Sequence, residues 1–299
     1  MQKIVECVPN FSEGRSQEVI EKIAGTVRSI PRVRLLDIAS NPDHNRTVLT
    51  FVGPPEPVAE AAFQATATAV ELIDMEKQKG EHPRMGAMDV VPFIPISGMS
   101  MEEAIDIAKS TGSRIASELH VPVFLYAAAA ATPARKRLPD VRQGQYEGLK
   151  ESISTPERKP DYGEARMHPS AGATAVGARP PLIAFNVNLG TTNLAIAKSI
   201  ARGLRESSGG LVNVQALGVD LAAEGLVQVS MNLLDYTKTP IHRAFELVRV
   251  EAERHGVPVV ASEIVGLLPL DALISAADFY LRLKEFSRNQ VLEARLLEE

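Results

Sequence analysis

One order of elements occurs twice in this chain, and it restricts the fold more than any other feature. Apolar periodicity and turn residues predict strand 3–8, helix 16–29, strands 33–39 and 46–52, helix 55–76 and strand 90–96. From Leu182 the order returns as strand 182–188, helix 191–206, strands 211–219 and 225–234, helix 238–255 and strand 257–262. Strand-helix-strand-strand-helix-strand is the split βαβ, or ferredoxin-like, unit. The first copy continues into helix 101–119 and strand 121–126, the second into helix 269–284. The expectation is an α+β protein of two ferredoxin-like subdomains, 1–180 with a connector loop and 181–299, in keeping with a length of 299 residues. Two sheets covered by helices on one face could bring their other faces together, so a ligand tunnel or cleft between the subdomains is expected.

Local signals agree with the repeat. Pro54-Pro55 and Pro240 fall near the same helix start in the two copies, where the missing amide donor costs nothing. Ser100 and Glu103 have the spacing of a capping box. Between about 132 and 180 periodicity fades among Thr132-Pro133, Leu138-Pro139, Thr155-Pro156 and Lys159-Pro160, which reads as a connector carrying loops. Its later part, Gly163 to Thr174, is rich in small residues that let a backbone approach a ligand closely.

Composition narrows the function classes. The net charge is −5 with basic residues dispersed, which gives no footprint for nucleic acid. The apolar stretches stop short of the roughly 20 residues that span a bilayer, and no signal peptide is visible, so a soluble cytoplasmic protein is expected. Cys7 is the only cysteine, which excludes an internal disulfide; within Ile4-Val5-Glu6-Cys7-Val8 it reads as a buried hydrophobe or, alternatively, a nucleophile. The six histidines are scattered, with no HExxH pair, so no metal is expected. Gly172 to Gly177 superficially resembles a phosphate loop but lacks the Gly-Lys-Ser/Thr ending, and GxGxxG is missing, so no nucleotide is expected.

The chemistry-bearing run is Glu81-His82-Pro83-Arg84-Met85-Gly86-Ala87-Met88-Asp89, between a helix pattern and a strand. A histidine flanked by carboxylates and an arginine, on a backbone fixed by Pro and Gly, suits proton transfer. Asn10 to Arg15 opens a helix, where free amides can receive an anion or Ser12 or Ser16 can cap. Arg46, Arg84 and Arg179 can offer guanidiniums to carboxylates. His120 and His255 read as helix C-terminal residues, His242 as solvent-facing in a first turn, and His44 and His168 as secondary ligand contacts.

Taken in order, Val5 to Gly14, Asn45-Arg46-Thr47 with Thr50-Phe51-Val52-Gly53, Gly80 to Ala87, Gly172-Ala173-Thr174 with Gly177-Ala178-Arg179, Leu182 to Asn186 and Ser230 to Asp235 resemble the glutamate formimidoyltransferase family over essentially the whole chain. The resemblance implies two ferredoxin-like subdomains with folate in a tunnel between them, and transfer of a formimidoyl group from N-formimidoyl-L-glutamate to nitrogen 5 of tetrahydrofolate, a late step of histidine degradation. It puts the catalytic histidine on His82. It puts the folate-binding segment on Gly163, Glu164, Ala165, Arg166, Met167, His168, Pro169, Ser170, Ala171 and Gly172. Asp37, Arg46, Glu81, Arg84 and Arg179 are the substrate candidates, tetrahydrofolate is the co-substrate, and a homodimer is expected. The animal enzymes carry a further cyclodeaminase domain, so the chain resembles the monofunctional form.

Two departures bear on the site. Ala39 stands where the animal enzymes have an acidic residue, leaving Asp37, Asp43 or Glu81 to orient His82. At 171 the animal form has an aromatic residue where this chain has alanine. A near-neutral His82 would serve as both base and acid during transfer. The alternatives are a non-catalytic folate-binding protein of the same fold and an enzyme acting on 5-formyltetrahydrofolate.

Overall fold

The computed structural model describes residues 2–80 and 82–296. The chain divides into two compact units, Met1–Pro180 and Pro181–Glu299. In unit 1 the elements run β1 (Ile4–Cys7), β2 (Asn10–Phe11), α1 (Gln17–Ser29), β3 (Arg34–Asn41), β4 (Arg46–Gly53), α2 (Pro55–Leu72), β5 (Met88–Ser97), α3 (Met101–Leu119), β6 (Val123–Ala127), α4 (Leu138–Val141), α5 (Gln145–Ser152) and β7 (Thr174–Ala178). Unit 2 follows with β8 (Ile183–Leu189), α6 (Leu194–Leu204), β9 (Val214–Leu221), β10 (Leu226–Leu233), α7 (Ile241–Arg254), β11 (Val259–Val265), α8 (Leu270–Leu281) and α9 (Leu292–Leu296).

Unit 1's described residues form a seven-stranded sheet in which β3 lies beside β4, followed by the interrupted first strand β1/β2, then β5, β7 and β6. Up to β5 this is the antiparallel ferredoxin-like order; beyond β5 the sheet is extended by β7 and β6, both running parallel. The parallel extension explains why β5 is buried along most of its length. Cys7 sits in register between Phe51 and Phe93, all three fully buried, and burial pushes its thiol pKa far up. Cys7 is therefore a core hydrophobe, and not a nucleophile. Truncating Phe51 to alanine in such a core costs roughly 3–5 kcal/mol.

Helix starts follow the sequence signals. Ser16 caps α1 by accepting from the amide of Val19, and α1 buries Ile20, Ile23, Ala24 and Val27. Ser100 and Glu103 complete the capping box of α3, and His120 closes that helix in the left-handed region at φ 54°. Pro54 and Pro240 are the N-caps of α2 and α7 with nearly identical backbone angles, φ −63°/ψ 154° and φ −64°/ψ 154°. Every helix among the described residues is too short or too polar to cross a membrane.

The connector is more regular than periodicity predicted. Besides α4 and α5 it contains β7, a wholly buried strand in the interior of the sheet, over the run that resembled a phosphate loop. Its residues, Thr-Ala-Val-Gly-Ala, are small because their neighbours are close: a Cβ on Gly177 would stand 2.5 Å from the Tyr126 carbonyl oxygen and 2.6 Å from its ring. Tertiary packing here overrides weak strand propensity.

Unit 2 is a four-stranded antiparallel sheet in the ferredoxin-like order β11-β8-β10-β9. Alternate residues Ile183, Phe185, Val187 and Leu189 of β8, with Val227, Val229, Met231 and Leu233 of β10, share a core with the buried faces of α6 and α7. His242 does not face solvent: it is buried and stacks on Phe279 of α8, ring centroids 4.4 Å apart, because α8 packs on α7. In α8 only Ala272 is buried and Ile274 and Ala276 are half-buried, while Phe279 and Leu281 are 50% and 68% exposed.

Candidate functional site

The His82 loop is held by backbone pairing more than by side chains. Ala87 N donates to the Ala171 carbonyl at 2.8 Å and Ala173 N to that of Met85 at 3.0 Å, so the end of the 163–172 segment lies directly against the loop. Gly86 makes this possible, since a Cβ there would meet the Ala173 carbonyl oxygen at 2.0 Å. On a second side Ser12 Oγ donates to the Gly86 carbonyl at 2.7 Å, and Asn45 Nδ2 donates to that of Lys79 at 2.9 Å. On a third, Tyr146 N of α5 donates to the Arg84 carbonyl at 2.8 Å. The runs 10–14, 45–47, 80–87 and 172–174 thus converge through hydrogen bonds to main-chain carbonyls, given by amides and by the side chains of Ser12 and Asn45.

Ser12, His44, Asn45, Arg46, His82, Arg84 and Asp89 line a cavity of about 10 Å³, little more than the space for one water. Arg46, at the start of β4, donates from Nη1 to Nε2 of half-buried His82, and the His44 ring lies 6.0 Å away. The guanidinium holds the imidazole as an acceptor at Nε2, which puts the proton of the neutral ring on Nδ1. Asp89, 3% exposed at its side chain, accepts from Met85 N at 2.8 Å and pairs with Arg142, whose side chain is 11% exposed. Among the described residues, Arg46 Nε, His82 Nδ1, Arg84 Nε and Arg142 Nε are buried with no hydrogen-bond partner. All four are N–H groups, so the site is short of acceptors.

The electrostatics follow from that excess. Burial, then the charges of Arg46 and Arg142, push His82 down to about 3, so the near-neutral histidine expected from sequence is not what the structure holds. Arg46 is itself lowered to about 10, by burial first and then by Arg142, and remains a cation at neutral pH.

The other candidates divide. Asp37 pairs with Thr50 in the β3–β4 register, four residues along β4 from Arg46, or roughly 13 Å at about 3.3 Å per residue. Asp43 lies exposed in the turn before β4, and Glu81 lies outside the described residues. The expected carboxylate partner of His82 is therefore replaced, among the described residues, by a guanidinium; the carboxylate lining the cavity is Asp89, held by Arg142. Arg84 reaches Glu147 at 2.8 Å and the Gln78 carbonyl at 3.0 Å through Nη2. Arg179 follows β7 and donates to the Pro180 carbonyl; its charge opposes the burial that raises the Glu6 carboxyl.

Within the 163–172 segment, Gly163, Glu164 and Arg166 are exposed, with Glu164 and Arg166 paired at 3.1 Å, and Ala165 is half-buried. Met167, Ala171 and Gly172 are buried, Pro169 is exposed and Ser170 half-buried. His168 Nδ1 accepts from Ala171 N at 3.0 Å and so fastens the turn. The anion site foreseen at 10–15 is filled from within, because Glu13 Oε1 accepts from the amides of Arg15 and Ser16 at 2.7 and 2.9 Å.

Sequence reasoning missed Asp89 and Arg142 as site residues. Asp89 closes the same run as His82 and was within reach; Arg142 sits in the connector, where no local pattern marks it.

Comparison with known proteins places the chain. The family model described as formiminotransferase domain, N-terminal subdomain, matches residues 4–179, and that described as formiminotransferase domain matches 184–296. Glutamate formimidoyltransferase of Streptococcus pyogenes serotype M1 is 49% identical, covering 99% of this chain and 100% of its own. That of Thermoplasma acidophilum is 47% identical, with 98% and 97% covered. The formimidoyltransferase-cyclodeaminase of Mus musculus is 52% identical over 94% of this chain but only 53% of the longer protein. Two domain models in sequence order and full-length relatives near half identity agree: the chain belongs to the formiminotransferase family.

Proposed function

We propose that the chain is a cytoplasmic glutamate formimidoyltransferase, which moves the formimidoyl group of N-formimidoyl-L-glutamate to nitrogen 5 of tetrahydrofolate and releases L-glutamate. The observation that carries this reading is the donor-rich pocket around a neutral imidazole: Arg46, Arg84 and Arg142 each keep a buried N–H without a partner among the described residues. An anionic substrate rich in carboxylate oxygens supplies the missing acceptors.

His82 is the base in this scheme. With its pKa held near 3 it is neutral throughout the physiological range and has a lone pair at Nε2, which Arg46 covers. A substrate carboxylate that draws Arg46 away does two things together: it uncovers Nε2, and it neutralises one of the two arginine charges that add to burial in lowering the ring. The imidazole then takes the proton from nitrogen 5 as the new carbon–nitrogen bond forms. It gives that proton to the departing glutamate nitrogen as the old bond breaks. General acid–base catalysis of this kind contributes about 10²–10⁴-fold. The segment Gly163 to Gly172, fastened to the His82 loop through Ala171, is the folate-binding wall, with the exposed residues Gly163, Glu164 and Arg166 toward its other end.

Glutamate release from formimidoylglutamate and tetrahydrofolate without ATP tests the function. Release only when both substrates are present is the expected result; folate binding without release would favour a non-catalytic folate-binding protein.

A second copy of this chain is the proposed partner of α8, which carries the exposed apolar side chains Leu273, Phe279, Tyr280 and Leu281. Light scattering should give twice the 32.3 kDa chain mass, and Leu281→Glu should give the monomer.

A further inference from the structure

Unit 2 contains a polar cluster to which neither the acid–base scheme nor the folate segment gives a role. The register sets Ser230 of β10, Asn186 of β8 and Glu263 of β11 in one row, with Gln228 and Asn188 paired in the next. Because Val187, Leu189, Val229 and Met231 point into the core with the helices, these residues project from the opposite face of the sheet. Asn186 Nδ2 donates to Glu263 Oε1 at 2.8 Å. Gln228 Nε2 donates to the same oxygen at 3.2 Å and to Asn188 Oδ1 at 2.9 Å.

Three facts separate this cluster from an ordinary solvated sheet face. The two amides that hold the glutamate are only 8% and 7% exposed, for Asn186 and Gln228, whereas Glu263 itself is exposed. Both donate to one carboxylate oxygen, which fixes the plane of the group, and among the described residues none donates to Oε2. Asn186 and Ser230 also belong to runs that carry the family resemblance but play no part in the unit 1 site. A carboxylate fixed by two amides, with one oxygen free, is a receptor for N–H groups.

We infer that Glu263, oriented by Asn186 and Gln228, binds through its free oxygen an N–H donor on the edge of a nitrogen-rich ligand. In the proposed reaction that chemistry occurs twice, in the amidine of the formimidoyl donor and in the amino-lactam edge of the reduced pterin. The inference rests on the transferase reading for its ligand but on unit 2's own geometry for its site.

Steady-state kinetics of Glu263→Gln with each substrate varied in turn is the test, with Glu263→Asp beside it. Loss of a charge-assisted hydrogen bond should raise one KM about tenfold or more and leave the other within about twofold, with kcat changed far less. A raised KM for tetrahydrofolate assigns the site to the pterin; a raised KM for formimidoylglutamate assigns it to the amidine. Asp, which keeps the charge but retracts it by a methylene, should give a smaller rise in the same constant. Two unchanged KM values overturn the inference. So does a fall in kcat with a loss of thermal stability in both variants, or failure of both to fold, since the cluster would then serve only the sheet. Were wild type inactive in glutamate release, the transferase reading would fall first; calorimetry with tetrahydrofolate and with formimidoylglutamate on wild type and Glu263→Gln would still judge the site, equal binding overturning it.

Discussion

The two units share a strand order but present opposite chemistry. Unit 1 gathers N–H groups around His82: three arginines and the imidazole keep buried donors without acceptors among the described residues. Unit 2 gathers oxygen around Glu263, a carboxylate presented by two amides. A ferredoxin-like frame therefore prescribes neither polarity; the side chains carried on it and on its loops do. Unit 1's additions supply one of its three arginines, while Arg46 and Arg84 belong to the repeated frame. Arg142 comes from the connector that leads into the parallel strand β7, an insertion unit 2 lacks.

The sharpest way to break the comparison is at the imidazole. His82→Gln should bind tetrahydrofolate with nearly unchanged affinity by calorimetry while turnover falls by about 10²–10⁴-fold; retained turnover would leave the donor-rich pocket without its base. Next is Asp89→Asn, which strands Arg142 in a buried position and should lower stability by about 3–5 kcal/mol in denaturant titration. No loss would mean that the Asp89–Arg142 pair does not brace the site.

Arg46→Gln should raise the KM for formimidoylglutamate by roughly 10–100-fold, the range expected for one charge-assisted hydrogen bond. The same variant should let the His82 resonance titrate above about 3, toward the ordinary 6.5, in an NMR pH series. Both readouts staying put would deny that unit 1 is built for an anion. Arg84→Ala should raise that KM only a few-fold, because its Nη2 is already engaged by Glu147 and the Gln78 carbonyl.

The last expected effect is on stability against pH. A histidine depressed in the native state is protonated first in the unfolded chain, so unfolding takes up protons between about 3 and 6.5. Stability should therefore fall as pH drops from about 6.5 toward 3, with His168 and His242, also lowered by burial, acting in the same sense. His82→Gln should flatten that slope, and an unchanged slope would place the His82 pKa near its ordinary value.

How far the sequence reached can be read residue by residue. Helix α3 begins and ends where its capping box and His120 predict, since caps are local chemistry. The strand β7 escaped notice because five small residues carry little periodic signal; what makes them a strand is the space left by Tyr126. His82 and Arg46 were both foreseen as site candidates, but not that they touch. Asp37 is one of three carboxylates, with Asp43 and Glu81, that the sequence offers as the histidine's partner, and the β3–β4 register sets it opposite Thr50, well along the strand from Arg46.

By itself the sequence determined the duplicated strand and helix order, the caps, the buried state of Cys7 and the loop proposed to carry the chemistry. These depend on hydrophobic period and on hydrogen bonds between residues a few positions apart. The tertiary structure alone decided the protonation state of His82, the contact that Arg46 makes with it, and the convergence of Asn186, Gln228 and Glu263. A pKa is set by burial and by charges brought from distant parts of the chain, and a cross-strand cluster by register, and neither quantity is written in the order of neighbouring residues.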